Sequence, residues 1–134
     1  KKDKTWTPMQ NQLTQIFDSA THLYMKDLEA EQDFPHKYAY EEHRLKMYQM
    51  NRYDQFKDHV DVQDHNSARR FVVMFLYLNT VTSGGETNFP KLNHWVAPRA
   101  GNVLVFPANW MYRHSGCLPN SGPKFIVGTY CHYL

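Results

Sequence analysis

The sequence is poor in cysteine, with only Cys117 and Cys131 in 134 residues. Two cysteines do not make a disulfide framework; they fit a reducing compartment, and one bridge between them stays open. No apolar run is long enough to cross a bilayer, and "KKDKTW" is not followed by the apolar core of a signal peptide. These features predict a cytoplasmic protein with no membrane partner.

The sequence also lacks an excess of either charge. Fifteen Lys and Arg face 13 Asp and Glu, for a net charge of +2, and the basic residues are interspersed with acids. We therefore expect no nucleic-acid partner. The length and the 42% hydrophobic content predict one globular domain over residues 1–134. Because the chain starts with lysine and not with methionine, we expect its N-terminus to be trimmed.

A helix is predicted near the N-terminus. Thr7 is placed as N-cap, Pro8 at the first helical position and Gln10 as the partner in a capping box. Pro35 should keep the helix from extending through Phe34. Apolar residues then recur at helical spacing, namely Leu13, Ile16, Phe17, Ala20 and Tyr24. We interpret residues 1–40 as helical support for a β core.

After residue 40 the apolar residues no longer follow helical spacing. The segment "RLKMYQM" alternates, and "RRFVVMFLYLN" is a nearly continuous apolar run typical of a strand buried on both faces. Two more strand-like runs, "GNVLVFP" and "KFIVGTYCHYL", are separated from their neighbours by turn segments. One helix followed by several short strands predicts an α+β domain, mainly β, with an antiparallel sandwich or barrel at residues 45–134.

A candidate metal site begins in "FKDHVD". In extended chain, His59 and Asp61 point to the same face, because side chains alternate. A third ligand is available in His114, which follows the strand "VLVF" and opens a Ser-Gly turn. Two imidazoles and one carboxylate are typical of non-heme Fe(II) oxygenases, although Zn accepts the same donors. The His-x-Asp pair alone is weak evidence, since the chain has eight histidines.

Lys124 opens the last apolar strand and is a candidate anion ligand. Ile126, Gly128 and Tyr130 share its face, and the small Gly128 should leave room there for a bound group. Tyr77, on the central strand, could approach the same cavity. A lysine and a phenol beside an open-sided metal suit a small dicarboxylate. The alternative, a solvent-facing lysine at a sheet edge, stays open at this point.

The ordered motifs "FKDHVD", "RRFVVMFLYLN", "GGETNFP", "APRAGNVLVFP", "RHSG" and "GPKFIVGTY" resemble the prolyl-4-hydroxylase-like 2-oxoglutarate and Fe(II)-dependent dioxygenases, most of all their compact bacterial and phage members. The resemblance covers roughly residues 45–134. It implies a double-stranded β-helix of the jelly-roll or cupin kind. A viral member would work in the host cytoplasm.

The resemblance also implies roles for the residues singled out above. His59, Asp61 and His114 would bind Fe(II). Lys124 would pair with the distal carboxylate of 2-oxoglutarate, and Tyr77 would donate a hydrogen bond to the same group. Decarboxylation of 2-oxoglutarate to succinate and CO2 would accompany the use of O2 to hydroxylate an unactivated C–H bond. Ascorbate is a further possible cofactor, and Glu86 and Thr87 of "GGETNFP" would have a structural role.

The substrate that the resemblance implies is a proline in a peptide or protein. Arg70 would lie near the substrate entrance, Tyr130 beside the bound proline, and Tyr53 would make a third contact. Strand alternation places Arg70 on the face opposite Tyr77, so Arg70 fits its role only if the strand bends at its start, and Arg69 is the alternative.

Other functions remain to be weighed. The same iron chemistry could act on a free amino acid or another side chain. A catalytically idle ligand-binding domain is disfavoured because the metal and anion ligands are all present. A Zn hydrolase lacks an obvious general base and leaves Lys124 and Tyr77 without a role. A DNA-repair oxygenase would call for paired arginines after the distal histidine and a basic face, both of which the sequence lacks.

Overall fold

A computed structural model describes residues 4–51, 53 and 55–134 of the chain, so the first three residues lie outside it. It contains one long helix followed by nine strands. The helix is α1 (Thr7–Asp27), and the strands are β1 (Tyr38–Tyr40), β2 (Arg44–Tyr48), β3 (Phe56–His59), β4 (Arg70–Tyr77), β5 (Thr87–Phe89), β6 (His94–Val96), β7 (Val103–Pro107), β8 (His114–Gly116) and β9 (Lys124–Tyr133).

The start of α1 differs from the prediction. The chain enters through a short 3-10 turn over Lys4–Trp6, so Trp6 is the N-cap residue, in helical conformation and without a side-chain capping bond. Thr7 already belongs to the helix, and the predicted capping box with Gln10 is therefore absent. The helix ends at Asp27, well before Pro35.

The buried face of α1 also differs in part from the predicted stripe. Phe17 and Thr21 are fully buried, whereas Ile16 is 41% exposed. Thr21 is tolerated there because its hydroxyl donates a 2.8 Å hydrogen bond to the carbonyl of Phe17. Strand β1 lies inside the segment that was assigned to helical support, so the β structure begins earlier than expected.

Two antiparallel sheets form the β core. In the first, β9 lies between β4 on one side and β1 and β2 on the other, and β7 pairs with the far edge of β4. The second sheet has the order β3-β8-β5-β6. The strands predicted from "RLKMYQM", "RRFVVMFLYLN", "GNVLVFP" and "KFIVGTYCHYL" are all present. The segment "HSG", predicted as a turn, forms β8 instead.

Strand β4 explains why its sequence is apolar throughout. Val72 and Met74 pack with Phe17 of α1 on the outer face. Val73 packs with Phe106 in a second cluster on the inner face, between the sheets. Each face of β4 therefore contributes to a separate part of the core.

The two cysteines are both free thiols. Cys131 is fully buried in the cluster beneath α1, and this burial raises its pKa to about 12. Within the described part of the chain, no helix is long and apolar enough to cross a membrane.

Candidate metal centre

The three predicted metal ligands lie together at one end of the second sheet. His59 ends β3, and His114 opens β8 directly opposite it in the antiparallel register. Asp61 follows two residues after His59, beyond the end of β3. One ligand atom from each residue lies within 4.8 Å of the other two. The strand pairing thus explains how residues 55 positions apart come to share one site.

Both histidines present the same nitrogen to the centre of this group. Nδ1 of His59 lies 2.8 Å from the carbonyl of Lys57, and Nδ1 of His114 lies 2.9 Å from the carbonyl of Tyr112. A carbonyl only accepts hydrogen bonds, so Nδ1 carries the proton in each ring and Nε2 presents its lone pair. This arrangement orients metal-bound histidines in proteins.

His114 provides the test of whether the group fits a metal. Its Nε2 is buried, 3.5 Å from Oδ2 of Asp61, and is the one such side-chain atom among the described residues with no hydrogen-bond partner. The ring of Phe106 lies 4.8 Å away and that of Phe89 5.8 Å away, between centroids. Burial lowers the pKa of His114 below its usual value, which favours the neutral, metal-binding imidazole. These residues fit a metal ion.

Asp61 is held in place by contacts with Tyr130 and Arg70. The hydroxyl of Tyr130 donates a 2.7 Å hydrogen bond to Oδ1 of Asp61. Burial raises the pKa of Tyr130, so the phenol stays protonated and remains a donor. Nη1 of Arg70 donates a 3.2 Å hydrogen bond to the backbone carbonyl of Asp61. The carboxylate is therefore oriented before any metal binds.

Arg70 reaches this position because β4 bends at its start, which is the condition that the sequence analysis set for a role of Arg70 at the site. The register between β4 and β9 shifts between Arg70 and Val72. The guanidinium then stacks on the ring of Tyr130, 4.0 Å from its centroid, and donates two hydrogen bonds to Glu41 at 2.8 and 3.0 Å. The alternative, Arg69, is exposed and makes none of these contacts.

Lys124 faces inward and is 2% exposed, which excludes the solvent-facing alternative. Its Nζ donates a 2.8 Å hydrogen bond to the carbonyl of Gly85 and lies 4.4 Å from the ring centroid of Tyr48. Burial lowers the pKa of Lys124 to about 8. The side chain lines one cavity together with His59, Asp61 and His114. A buried ammonium beside a metal group suits an anionic ligand that spans the two.

Tyr77 lies behind this cavity and not in its wall. Its hydroxyl forms a 2.7 Å hydrogen bond with the hydroxyl of Thr87, which does line the cavity. Burial raises the pKa of Tyr77 to about 12, so it stays a phenol. Gly128 does not leave room for a ligand, contrary to expectation: a Cβ atom there would lie 3.2 Å from the ring of Phe75, which already fills that space.

Tyr53 lies at the outer rim of the site. It is 84% exposed and lines a shallow outer cavity with Gln55 and Met47. This outer cavity shares Lys46, Tyr48 and Phe56 with the metal cavity.

Three residues of the site were not predicted from the sequence. Tyr48, Lys46 and Thr87 all line the metal cavity. The alternation in "RLKMYQM" places Lys46 and Tyr48 on one face of the strand, and this could have indicated that both face the site. Thr87 carried no signal beyond its place in "GGETNFP", where only a structural role was assigned to it.

Comparison with known proteins identifies the family. Residues 46–132 match the family model described as the 2OG-Fe(II) oxygenase superfamily. The chain belongs to this family. Its members use Fe(II) and 2-oxoglutarate, and this oxygenase is a 2-oxoglutarate-dependent dioxygenase with the double-stranded β-helix fold. No curated protein sequence matches it.

Several solved structures resemble this oxygenase in fold. A viral collagen prolyl hydroxylase from Paramecium Bursaria Chlorella virus-1, in complex with 2OG, has a TM-score of 0.70 at 21% identity, covering 87% of this chain and 72% of that one. A Pseudomonas putida prolyl-4-hydroxylase has a TM-score of 0.56 at 24% identity, covering 67% and 50%. A Trichoplax adhaerens prolyl hydroxylase, in complex with a hypoxia inducible factor peptide fragment, has a TM-score of 0.58 at 18% identity, covering 70% and 44%.

Proposed function

We propose that this oxygenase hydroxylates a proline in a peptide or protein, with O2 and 2-oxoglutarate as co-substrates and succinate and CO2 as co-products. The observation that carries the proposal is one cavity that joins the His59, Asp61 and His114 group to the buried Lys124. The prolyl substrate is supported by the three structures of similar fold, each of which is a prolyl hydroxylase by name.

In this proposal the protein places 2-oxoglutarate and a metal. His59, Asp61 and His114 hold Fe(II) through two imidazoles and one carboxylate, which leaves coordination positions for other ligands. Lys124 binds the distal carboxylate of 2-oxoglutarate, and Tyr77 supports it through Thr87. When bound, the iron supplies the oxidative chemistry that decarboxylates 2-oxoglutarate and hydroxylates the substrate.

The remaining site residues exclude water and receive the substrate. Phe89 and Phe106 surround His114 and keep its side of the cavity dry. Tyr130 and Arg70 border the site where the peptide approaches, and Tyr53 extends the contact outward. Ascorbate serves as an auxiliary reductant in this proposal.

We further propose that residues 1–134 work as one dioxygenase domain in the cytoplasm. The two free thiols, Cys117 and Cys131, support a reducing compartment. A fluorescent fusion that is secreted or membrane-bound in the source cell would contradict this location.

The test is incubation of the full chain with Fe(II), 2-oxoglutarate, ascorbate and a panel of proline-containing peptides in air. We expect one added oxygen on proline, matched by an equal amount of succinate. The Asp61→Ala variant should form neither product. Hydroxylation of a residue other than proline would retain the oxygenase and contradict the prolyl assignment.

A further inference from the structure

A second lysine faces the metal cavity from β2. In the register of β2 and β9, Lys46 lies opposite Ile126 and Tyr48 lies opposite Lys124. Lys46 and Tyr48 therefore share the inner face of the strand. Its sequence neighbours face the other way: Leu45 is 68% and Met47 51% exposed. The ammonium of Lys46 reaches the same cavity as Lys124, from a position nearer its mouth, because Lys46 also lines the outer cavity.

Lys46 has no anionic partner among the described residues. Its Nζ lies 4.5 Å from the ring centroid of Phe56, and no carboxylate of the described chain forms an ion pair with it. The other cations of the site have partners of their own, since Arg70 is bound to Glu41 and Lys124 donates to the carbonyl of Gly85 and is assigned to 2-oxoglutarate in the proposed function. Burial lowers the pKa of Lys46, while the nearby Asp61 acts in the opposite direction. A partly desolvated ammonium without a partner is unfavourable unless a ligand provides one.

With Fe(II) and 2-oxoglutarate bound, the positive charge of Lys46 has no negative charge to balance it. This step rests on the proposed function. Fe(II) brings two positive charges and 2-oxoglutarate two negative charges, while Asp61 and Lys124 bring one of each sign. These four groups sum to zero, so the positive charge of Lys46 is in excess. A substrate that enters past the mouth of the cavity meets this charge.

We propose that Lys46 binds a carboxylate of the substrate and so selects acidic prolyl peptides. The carboxylate can belong to an acidic side chain next to the target proline or to the C-terminus of the substrate. Both sources offer the same charge-assisted hydrogen bond to the ammonium. The rings of Phe56 and Tyr48 line the cavity beside Lys46.

The test measures the affinity of four probes for the anaerobic protein loaded with Fe(II) and 2-oxoglutarate, by calorimetry. One pair is a short blocked peptide with glutamate after its proline and the same peptide with glutamine. The other pair ends in proline with a free carboxylate or with an amide. We expect the acid to bind at least about tenfold more tightly than the amide in one pair. The pair that shows the difference identifies the source of the carboxylate.

Three variants test whether Lys46 causes the preference for the carboxylate over the amide. In Lys46→Met the acid and the amide should bind equally, while the affinity for 2-oxoglutarate changes by less than about threefold. Lys46→Arg should keep the preference. Lys37→Met removes an exposed lysine that lines no part of either cavity and should leave the preference intact. Thermal unfolding of each variant verifies that it folds.

Several results would overturn the inference. If the unmodified protein binds acid and amide equally in both pairs, the proposed role of Lys46 is wrong, while the prolyl function is not contradicted. A preference that survives in Lys46→Met assigns it to another residue. A large loss of 2-oxoglutarate affinity in Lys46→Met makes this lysine a co-substrate ligand instead. Absence of binding by all four probes contradicts the prolyl function, and the inference with it.

Discussion

The hydroxyl of Tyr130 donates a 2.7 Å hydrogen bond to Oδ1 of Asp61, the one carboxylate of the metal group. Because Arg70 stacks on the ring of Tyr130 and also donates to the backbone carbonyl of Asp61, this residue is held at two points, its carboxylate by Tyr130 and its main chain by Arg70. Asp61 lies beyond the end of β3 and has no strand pairing to hold it. These contacts hold Asp61 in place where strand pairing does not.

Removal of this hydroxyl should weaken metal binding. We expect Tyr130→Phe to lower the affinity for Fe(II) about tenfold, since partners of metal ligands typically contribute that much. Anaerobic titration with Fe(II) measures it, and the free energy of unfolding without metal should change little. Tyr133→Phe removes the hydroxyl of a more exposed tyrosine three residues away and serves as the control. An unchanged affinity in Tyr130→Phe would show that Asp61 does not depend on this bond.

The affinity for 2-oxoglutarate should depend on pH through Lys124. Burial lowers the pKa of Lys124 from 10.5 to about 8, and only the ammonium form attracts a carboxylate. The Kd for 2-oxoglutarate should therefore be constant below pH about 8 and rise about tenfold per pH unit above it. Equilibrium dialysis with labelled 2-oxoglutarate under anaerobic conditions measures this dependence.

Lys124→Arg is the matched control for this pH dependence. A guanidinium stays charged throughout the range, so the rise in Kd above pH about 8 should disappear, whatever the absolute affinity. If the pH dependence were the same in both proteins, another group would be responsible for it.

The ion pair between Arg70 and Glu41 should stabilise the fold. Burial alone raises the pKa of Glu41, but the hydrogen bonds and charge of Arg70, together with the contact from His132, outweigh burial and hold this pKa below its usual value. We expect Arg70→Met to lower the free energy of unfolding by about 1–3 kcal/mol. The exposed neighbour provides the control, because Arg69→Met should cost less than about 0.5 kcal/mol.

The same pair predicts a dependence of stability on pH. The pKa of Glu41 is lower in the folded than in the unfolded chain, so its contribution is complete above the unfolded pKa and is lost as pH falls through the folded pKa. Urea unfolding near neutral pH and under acidic conditions should show a smaller loss in Arg70→Met than in the unmodified protein. An equal loss would mean that other carboxylates determine the acid sensitivity.

The turn "GGETNFP" should not tolerate a side chain at its first glycine. Gly84 has a φ of +74°, and a Cβ atom there would overlap the carbonyl oxygen of Leu118. We expect Gly84→Ala to lower the free energy of unfolding by at least about 2 kcal/mol. Gly122 has open space around it, so Gly122→Ala should change stability by less than about 1 kcal/mol. Comparable values for the two variants would contradict this account of the turn.

The sequence predicted those parts of the structure that follow from side-chain alternation. The continuous apolar run identified β4 because both of its faces are buried, whereas alternation left the direction of Lys124 open and only the family resemblance implied an inward position. The metal group was recognisable because His59, Asp61 and His114 carry chemistry that few other residues offer. The pairing of β3 with β8 brings the two histidines opposite each other, and the side chains of all three residues lie together.

The remaining features depend on contacts that a local pattern does not contain. The position of Arg70 depends on a bulge against β9, which reverses the expected face. The space beside Gly128 depends on Phe75 of the neighbouring strand. The place of Tyr77 depends on Thr87, which stands between it and the cavity. For Gly128 and Tyr77 the alternation along the strand was right and a neighbouring side chain decided the outcome, whereas for Arg70 the bulge itself broke the alternation.

The most direct test of the account is an anaerobic titration with Fe(II) followed by visible absorbance, with and without 2-oxoglutarate. We expect a weak charge-transfer band that requires Fe(II) and 2-oxoglutarate together, that vanishes in His114→Ala, and that in Lys124→Met needs more 2-oxoglutarate. Tight binding of Fe(II) without a band would show that the cavity beside Lys124 does not hold 2-oxoglutarate. Failure to bind Fe(II) would contradict the assignment of His59, Asp61 and His114 as its ligands.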